Sequence, residues 1–174
     1  MTNIQPLRIF IDMDGVLANF DKAAQEMKEK LPFDTGTPRP SATYEAKDTS
    51  GFAFDEVLDF SKFEPMVGAI EAVHKIIDMG HDVFIASTPP WNNPDAWGQK
   101  RNWIEEHLPE LEKKIILTHR KDLLIGDILI DDSTYRGQPD FQGEFMHFGQ
   151  DGMDWSYVVE TIGVMTKMLK LQKL

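Results

Sequence analysis

Four aspartates, two hydroxyls and one lysine are the residues of this chain whose types and spacing could do chemistry. Asp12-Met13-Asp14-Gly15 follows the short apolar run 7–11, and Ser87-Thr88 follows the run 83–86. Asp131-Asp132 closes the run 128–130, with Lys121 standing just ahead of it. Singly, each is ordinary: Asp-x-Asp after a strand commonly makes a turn or helix cap, and a lone lysine is ordinarily solvated. Together in one pocket they would be reactive. Several carboxylates at close range cannot all stay ionised without a cation, and oxygen ligands of this hardness suit Mg2+. One aspartate could attack phosphorus to form an aspartyl-phosphate, while a neighbour protonates the leaving alcohol and later activates water. Hydroxyls, backbone N–H groups and the lysine would then hold the transferring phosphoryl oxygens.

Such convergence needs elements that deliver all seven residues to one edge. The runs 7–11, 83–86, 115–117, 128–130 and 145–148 are short, apolar and bounded by turn residues, which reads as five buried strands. Helical periodicity fills the gaps. Val67, Ile70, Val73 and Ile77 share one face of a helix that Gly80 ends, and Trp97, Arg101, Ile104 and Leu108 share a face of a helix opened by Asn93-Pro94-Asp95. Trp155, Val158, Val159, Ile162, Met165 and Leu169 mark a closing amphipathic helix. Strands alternating with such helices predict an α/β fold, a parallel sheet with helices on both faces. In these sheets ligands bind outside the carboxyl ends of the strands, where all seven residues fall. Residues 31–62 break the rhythm with three prolines and the aromatics Phe33, Tyr44, Phe52, Phe54 and Phe60. With the helix before it, this interval reads as a small helical cap inserted after the first strand, too long for a plain loop. The expected division is a core of residues 1–18 and 63–174 and a cap of residues 19–62.

Composition sets the outer limits. The 174 residues suit about one domain with a full hydrophobic core. With no cysteine, disulfides, thiolate catalysis and zinc–thiolate sites are excluded. Eighteen basic against 29 acidic residues give a net charge of −11, which argues against a nucleic-acid polymer as partner. No apolar run is long enough to span a membrane and the N-terminus lacks a secretory signal, so a soluble cytoplasmic protein is expected. None of the five histidines pairs at metal-ligand spacing. His119 and His147 fall near the sheet edge, and His74, His81 and His107 read as surface or satisfied positions.

The stretch Ile9-Phe10-Ile11-Asp12-Met13-Asp14-Gly15-Val16-Leu17-Ala18 resembles the first motif of the haloacid-dehalogenase-like hydrolase superfamily. Ser87, Lys121 and Asp131-Asp132 are similar to its second, third and fourth motifs, in order and after the right elements. Within the superfamily the chain resembles the 5′(3′)-deoxyribonucleotidase family. The similar stretches are 12–20, Phe63-Glu64-Pro65-Met66-Val67-Gly68-Ala69, Ser87-Thr88-Pro89, and Leu117-Thr118-His119-Arg120-Lys121 running on to Asp132. The resemblance implies a Rossmann-like core with Asp12 as nucleophile and Mg2+ ligand. It makes Asp14 the general acid/base, with its carbonyl oxygen also on the metal, Asp132 a direct metal ligand and Asp131 a supporting one. Ser87, Thr88 and Lys121 would bind phosphate, and Phe20 and Phe52 would line the nucleoside pocket. Three positions depart from the family pattern: Ala53 replaces a tryptophan, Trp91 replaces a basic residue that helps hold phosphate, and Ser133 stands where arginine is frequent.

The expected function is Mg2+-dependent hydrolysis of a nucleoside monophosphate through an aspartyl-phosphate. The second aspartate favours phosphate esters, because a phosphatase must protonate its leaving group and a dehalogenase need not. Ala53 and Trp91 keep open another small phosphate ester, such as a sugar phosphate. A non-catalytic nucleotide-binding module is the other alternative, against which the presence of both Asp12 and Asp14 counts. The expected partner is a small-molecule phosphate ester rather than a nucleic acid or a membrane, and a homodimer is compatible with the sequence.

Overall fold

A computed structural model describes residues 5–30 and 57–171. Its five strands are β1 (Arg8–Ile11), β2 (Asp82–Ser87), β3 (Ile115–Leu117), β4 (Ile128–Asp131) and β5 (Glu144–His147), each within a residue of the apolar run that predicted it. They form one sheet in the order β3-β2-β1-β4-β5, every pair parallel. Strands buried on both faces read as near-continuous apolar runs, and β1 and β4 do: Ile9, Phe10 and Ile11 of β1 and Ile128, Leu129 and Ile130 of β4 are all buried.

The two-residue alternation of a strand splits these side chains between two clusters. Ile9, Ile11, Ile85, Ile128 and Ile130 face the larger one. The helices α1 (Phe20–Lys30), α2 (Ala69–Asp78), α3 (Ala96–His107) and α4 (Trp155–Leu171) all contribute buried residues to it. Phe10, Ala86 and Leu129 face the smaller cluster, which Leu124 and Phe141 close from the ends of two single-turn 3-10 helices, Lys121–Leu123 and Gln138–Asp140. The result is a Rossmann-like α/β arrangement, as the alternating pattern predicts, but the buried apolar residues of all four helices join the larger cluster and only the two short 3-10 helices close the smaller one. No described helix is long and apolar enough to cross a membrane.

Two helix faces differ from the expected ones. Val67 is 98% exposed, because Gly68 in the left-handed region (φ 78°) caps α2 and leaves Val67 outside it. In α3 the buried residues are Ala96, Lys100, Trp103 and Ile104, whereas Trp97 and Arg101 lie toward solvent. Trp103 fixes this rotation by donating its indole N–H to the Phe63 carbonyl at 2.8 Å. The face therefore turns a lysine inward. Most of the expected cap, including Phe52 and Ala53, lies outside the described residues. Of the rest of that interval, Ala24, Leu58 and Phe60 belong to the larger core cluster.

Candidate active site

The chain after β1 is bent back by its own backbone. Asp12 N–H donates to Ile130 O at 2.8 Å, which extends the β1–β4 ladder and seats Asp12 between the two strand tips. The N–H groups of Leu17 and Ala18 both donate to Met13 O at 2.8 Å, closing a tight loop around Asp14. Trp155 of α4 secures that loop by donating its indole N–H to Val16 O at 3.0 Å. Asp12 is 5% exposed, and Asp14 keeps 19% of its side-chain surface.

Two fully buried lysines face these carboxylates. Lys121 lies 2.9 Å from Asp12 Oδ1 and donates a short hydrogen bond to Asp131 Oδ2. Burial opposes its charge, but the Asp12 and Asp131 carboxylates outweigh that and hold its pKa above the ordinary lysine value. Lys100 donates to Asp14 Oδ2 at 2.5 Å and to Ser87 Oγ at 3.1 Å, with its ammonium 4.4 Å from the centre of the Phe60 ring. Phe60 is itself wedged against Phe63 and Phe20 and has its N–H bound to Gln99 Oε1. Burial pushes the Asp14 carboxyl above its usual range against the pull of Lys100, with the charge on Asp12 adding to the rise. Asp131 is raised by burial and by Asp12, with Lys121 opposing.

Asp131 is held from its other side as well. Its Oδ1 accepts from Ser133 N–H at 3.0 Å, Ser133 Oγ at 3.0 Å and Gln138 Nε2 at 3.1 Å. In contrast, while Asp12 Oδ1 pairs with the Lys121 ammonium at 2.9 Å, Asp14 Oδ1 is buried without a hydrogen-bond partner among the described residues. A buried carboxylate oxygen in that condition is costly unless a ligand completes it. Asp12, Asp131 and Asp132 each offer an oxygen, all within 4.8 Å of one another. Four carboxylates against two ammonium groups and the nearby Arg136 guanidinium leave a deficit of positive charge when all are ionised. An all-oxygen donor set with that deficit fits a hard divalent cation.

Most of the expected site is gathered here: Asp12, Asp14, Ser87, Lys121, Asp131 and Asp132. Thr88 stands at the same tip, but its hydroxyl donates to Thr118 O at 2.8 Å and so ties β2 to the chain after β3. Phe20 is half-buried against Phe60 and Phe63. His147 Nε2 lies 3.1 Å from Asp132 O. His119 sits in an aromatic group with Trp91, 80% exposed, and Trp97. Sequence reasoning missed Lys100 and Gln138. Lys100 did leave a signal: Ala96, Lys100 and Trp103 follow i, i+4, i+7 spacing, so an apolar face carries a lysine in its middle.

The family model described as 5′ nucleotidase, deoxy (pyrimidine), cytosolic type C protein matches residues 5–150. The chain belongs to that family. Its membership in this haloacid-dehalogenase-like group of phosphoric monoester hydrolases agrees with the named relatives. A protein of Vibrio phage KVP40 named putative 5′(3′)-deoxyribonucleotidase is 36% identical over 154 residues, covering 87% of this chain and 81% of the relative. The human cytosolic-type 5′(3′)-deoxyribonucleotidase is 32% identical over 148 residues, covering 76% of this chain and 74% of its own length. The mouse mitochondrial 5′(3′)-deoxyribonucleotidase is 29% identical, covering 89% and 73% respectively.

Proposed function

We propose that this nucleotidase-family chain hydrolyses nucleoside monophosphates, deoxyribonucleotides above all, in a Mg2+-dependent reaction through a phosphorylated Asp12. One observation carries the reading: the unpartnered buried Oδ1 of Asp14 and the Asp12 carboxylate stand beside two wholly buried lysines. Such a site is incomplete without a cation and an anion. Asp12 and Asp132, with the Asp14 carbonyl and with Asp131 in support, would hold Mg2+, which when bound neutralises charge on the phosphoryl oxygens.

The chain's own residues do the rest. An Asp12 carboxylate oxygen attacks phosphorus, the ester P–O bond breaks, and the departing alcohol takes its proton from Asp14. Asp14, now ionised, takes a proton from water, whose oxygen attacks the phosphorus of phospho-Asp12, releasing phosphate and restoring both carboxyl groups. An Asp14 pKa raised by burial suits a residue that must begin this cycle protonated. Lys100 and Ser87, already paired with each other, supply donors to the transferring phosphoryl group, and Lys121 steadies Asp12. Thr88 holds the strand tip that carries Ser87. Phe20 and Phe52 would line the nucleoside side of the pocket. The buried lysines together with a bound divalent cation would offset the four carboxylates, so that a chain of net charge −11 can take an anionic substrate. We take the protein to act in the cytoplasm, as its cytosolic-type relative is named.

Rapid acid quench of the enzyme with a deoxyribonucleoside 5′-monophosphate, followed by mass spectrometry of the peptide spanning Asp12, tests the covalent step. Phosphate on Asp12 in the native chain and none in Asp12→Asn is the expected result. Turnover retained by Asp12→Asn sinks it.

A further inference from the structure

Gln138 lies far in sequence from the nucleophile and carries no charge, yet it is completely buried beside the active site. Every polar atom of its side chain group is engaged. Nε2 donates to Asp131 Oδ1 at 3.1 Å and to Ser133 Oγ at 2.8 Å, and Oε1 accepts from Arg136 N–H at 2.7 Å. The carbonyl of the same Arg136 accepts from Lys121 N–H at 3.0 Å. A closed circuit results: the backbone of Lys121 is tied to Arg136, Arg136 to Gln138, Gln138 to Asp131, and Asp131 back to the Lys121 ammonium.

The local fold is built to put Gln138 there. Gly137 precedes it at φ 89°, a left-handed conformation that L side chains rarely adopt. A Cβ at that position would lie 2.5 Å from Asp122 Oδ1, and Asp122 is itself held by the Arg120 guanidinium. Glycine is therefore required twice, by conformation and by space. On the far side Phe141 N–H donates to Gln138 O, and the Phe141 ring packs edge-on against Phe10 of β1. The loop is anchored at both ends.

From this circuit we infer that Gln138 is a positioning residue for the reaction: it fixes the rotation of the Asp131 carboxylate, and through it holds Lys121 against Asp12. Oδ1 of Asp131 accepts from three donors, which resist rotation of the carboxylate, and Oδ2 accepts from Lys121. The Lys121 ammonium then has one place to sit, between Asp131 and Asp12. Orienting the nucleophile this way matters because small misplacements of a reacting group cost large factors in rate. The inference rests on Asp12 being the nucleophile.

Gln138→Met fills the same space without a donor or acceptor, and Gln138→Glu keeps the shape but places a second carboxylate beside Asp131. Single-turnover rate constants for a deoxyribonucleoside 5′-monophosphate do not depend on the fraction of folded enzyme. They should fall about tenfold in Gln138→Met and further in Gln138→Glu, with KM changed less than about threefold. Crystal structures give a readout independent of turnover: in Gln138→Met the Lys121 ammonium should move beyond about 4 Å from Asp12 Oδ1. Rate constants at the native value, or Lys121 still seated on Asp12, overturn the positioning role. Asp12→Asn in the same assay separates the two failures. If it remains active, the nucleophile assignment has failed; if it is inactive while Gln138→Met matches native, only the role of Gln138 has.

Discussion

Lys100→Met tests the electrostatics of the site most sharply. The native ammonium is fully buried, bound to Asp14 and Ser87 and lying over Phe60. Methionine matches the length of the stem and keeps a favourable contact with the Phe60 ring, so packing changes little. What is lost is the cation beside Asp14. Removing one member of a fully buried ion pair costs about 3–5 kcal/mol. Asp14 retains 19% of its side-chain surface and its burial-raised pKa lets it take up a proton, which lowers the expected cost to about 2–3 kcal/mol. For a chain of this size that is a loss of about 5–10 °C in Tm. A carboxyl whose folded pKa lies above its unfolded value adds stability in acid and loses it as pH rises through the folded value. The Tm deficit of Lys100→Met against the native chain should therefore shrink on acidification. Adding Asp14→Asn removes both charges and should recover most of the lost stability, because deleting both partners is far cheaper than deleting one. Turnover should fall about 10²- to 10³-fold in Lys100→Met, the usual cost of losing a donor to developing charge. Calorimetry across pH and a phosphate-release assay read all of this. A single variant as stable as the native chain, or a double variant less stable than the single, refutes the reasoning.

His81 predicts a second pH dependence. Its Nδ1 accepts from Leu7 N–H, and its Nε2 faces Thr166 Oγ1, whose own proton goes to Ile162 O, so the neutral ring fills the site with the hydrogen on Nε2. Burial holds its pKa below the ordinary histidine value, against the nearby Asp127. The unfolded chain then binds this proton first, and stability falls as pH drops below about 6.5. Tm measured from about pH 7.5 to about pH 5 should fall less steeply in His81→Gln; equal slopes would exclude the histidine as the cause. Gly137→Ala should lower stability by about 1–3 kcal/mol, from left-handed strain and contact with Asp122, and reduce activity more than its Tm change explains. Unchanged turnover in that variant would show that the loop does not govern Lys121.

The strands were legible because parallel strands buried on both faces leave uninterrupted apolar runs such as Ile9-Phe10-Ile11 and Ile128-Leu129-Ile130. Asp12, Asp14 and Asp131-Asp132 were legible because each directly follows or ends such a run, and a parallel sheet aligns those ends at one edge. Lys121 was harder. It lies in a 3-10 turn rather than on a strand, and only its place in the motif order marked it. Lys100 was hidden by an assumption about α3: Trp97 and Arg101 were grouped on one face with Ile104 and Leu108, of which only the latter two are buried. The indole hydrogen bond of Trp103 sets the real rotation, a contact across 40 residues that no local pattern records. Gln138 was invisible for a similar reason, since its partners Asp131 and Ser133 meet it only once the Gly137 turn has formed. Thr88 stands at the expected strand tip, and its hydroxyl donates to Thr118 O.

Phosphate release from a panel of deoxyribonucleoside and ribonucleoside 5′- and 3′-monophosphates and sugar phosphates, in Mg2+ or in EDTA, with Asp12→Asn alongside, tests the central claim most directly. Turnover that needs Mg2+, favours deoxyribonucleotides and vanishes in Asp12→Asn is the predicted result. Turnover in EDTA or in Asp12→Asn, or turnover of sugar phosphates alone, would contradict it.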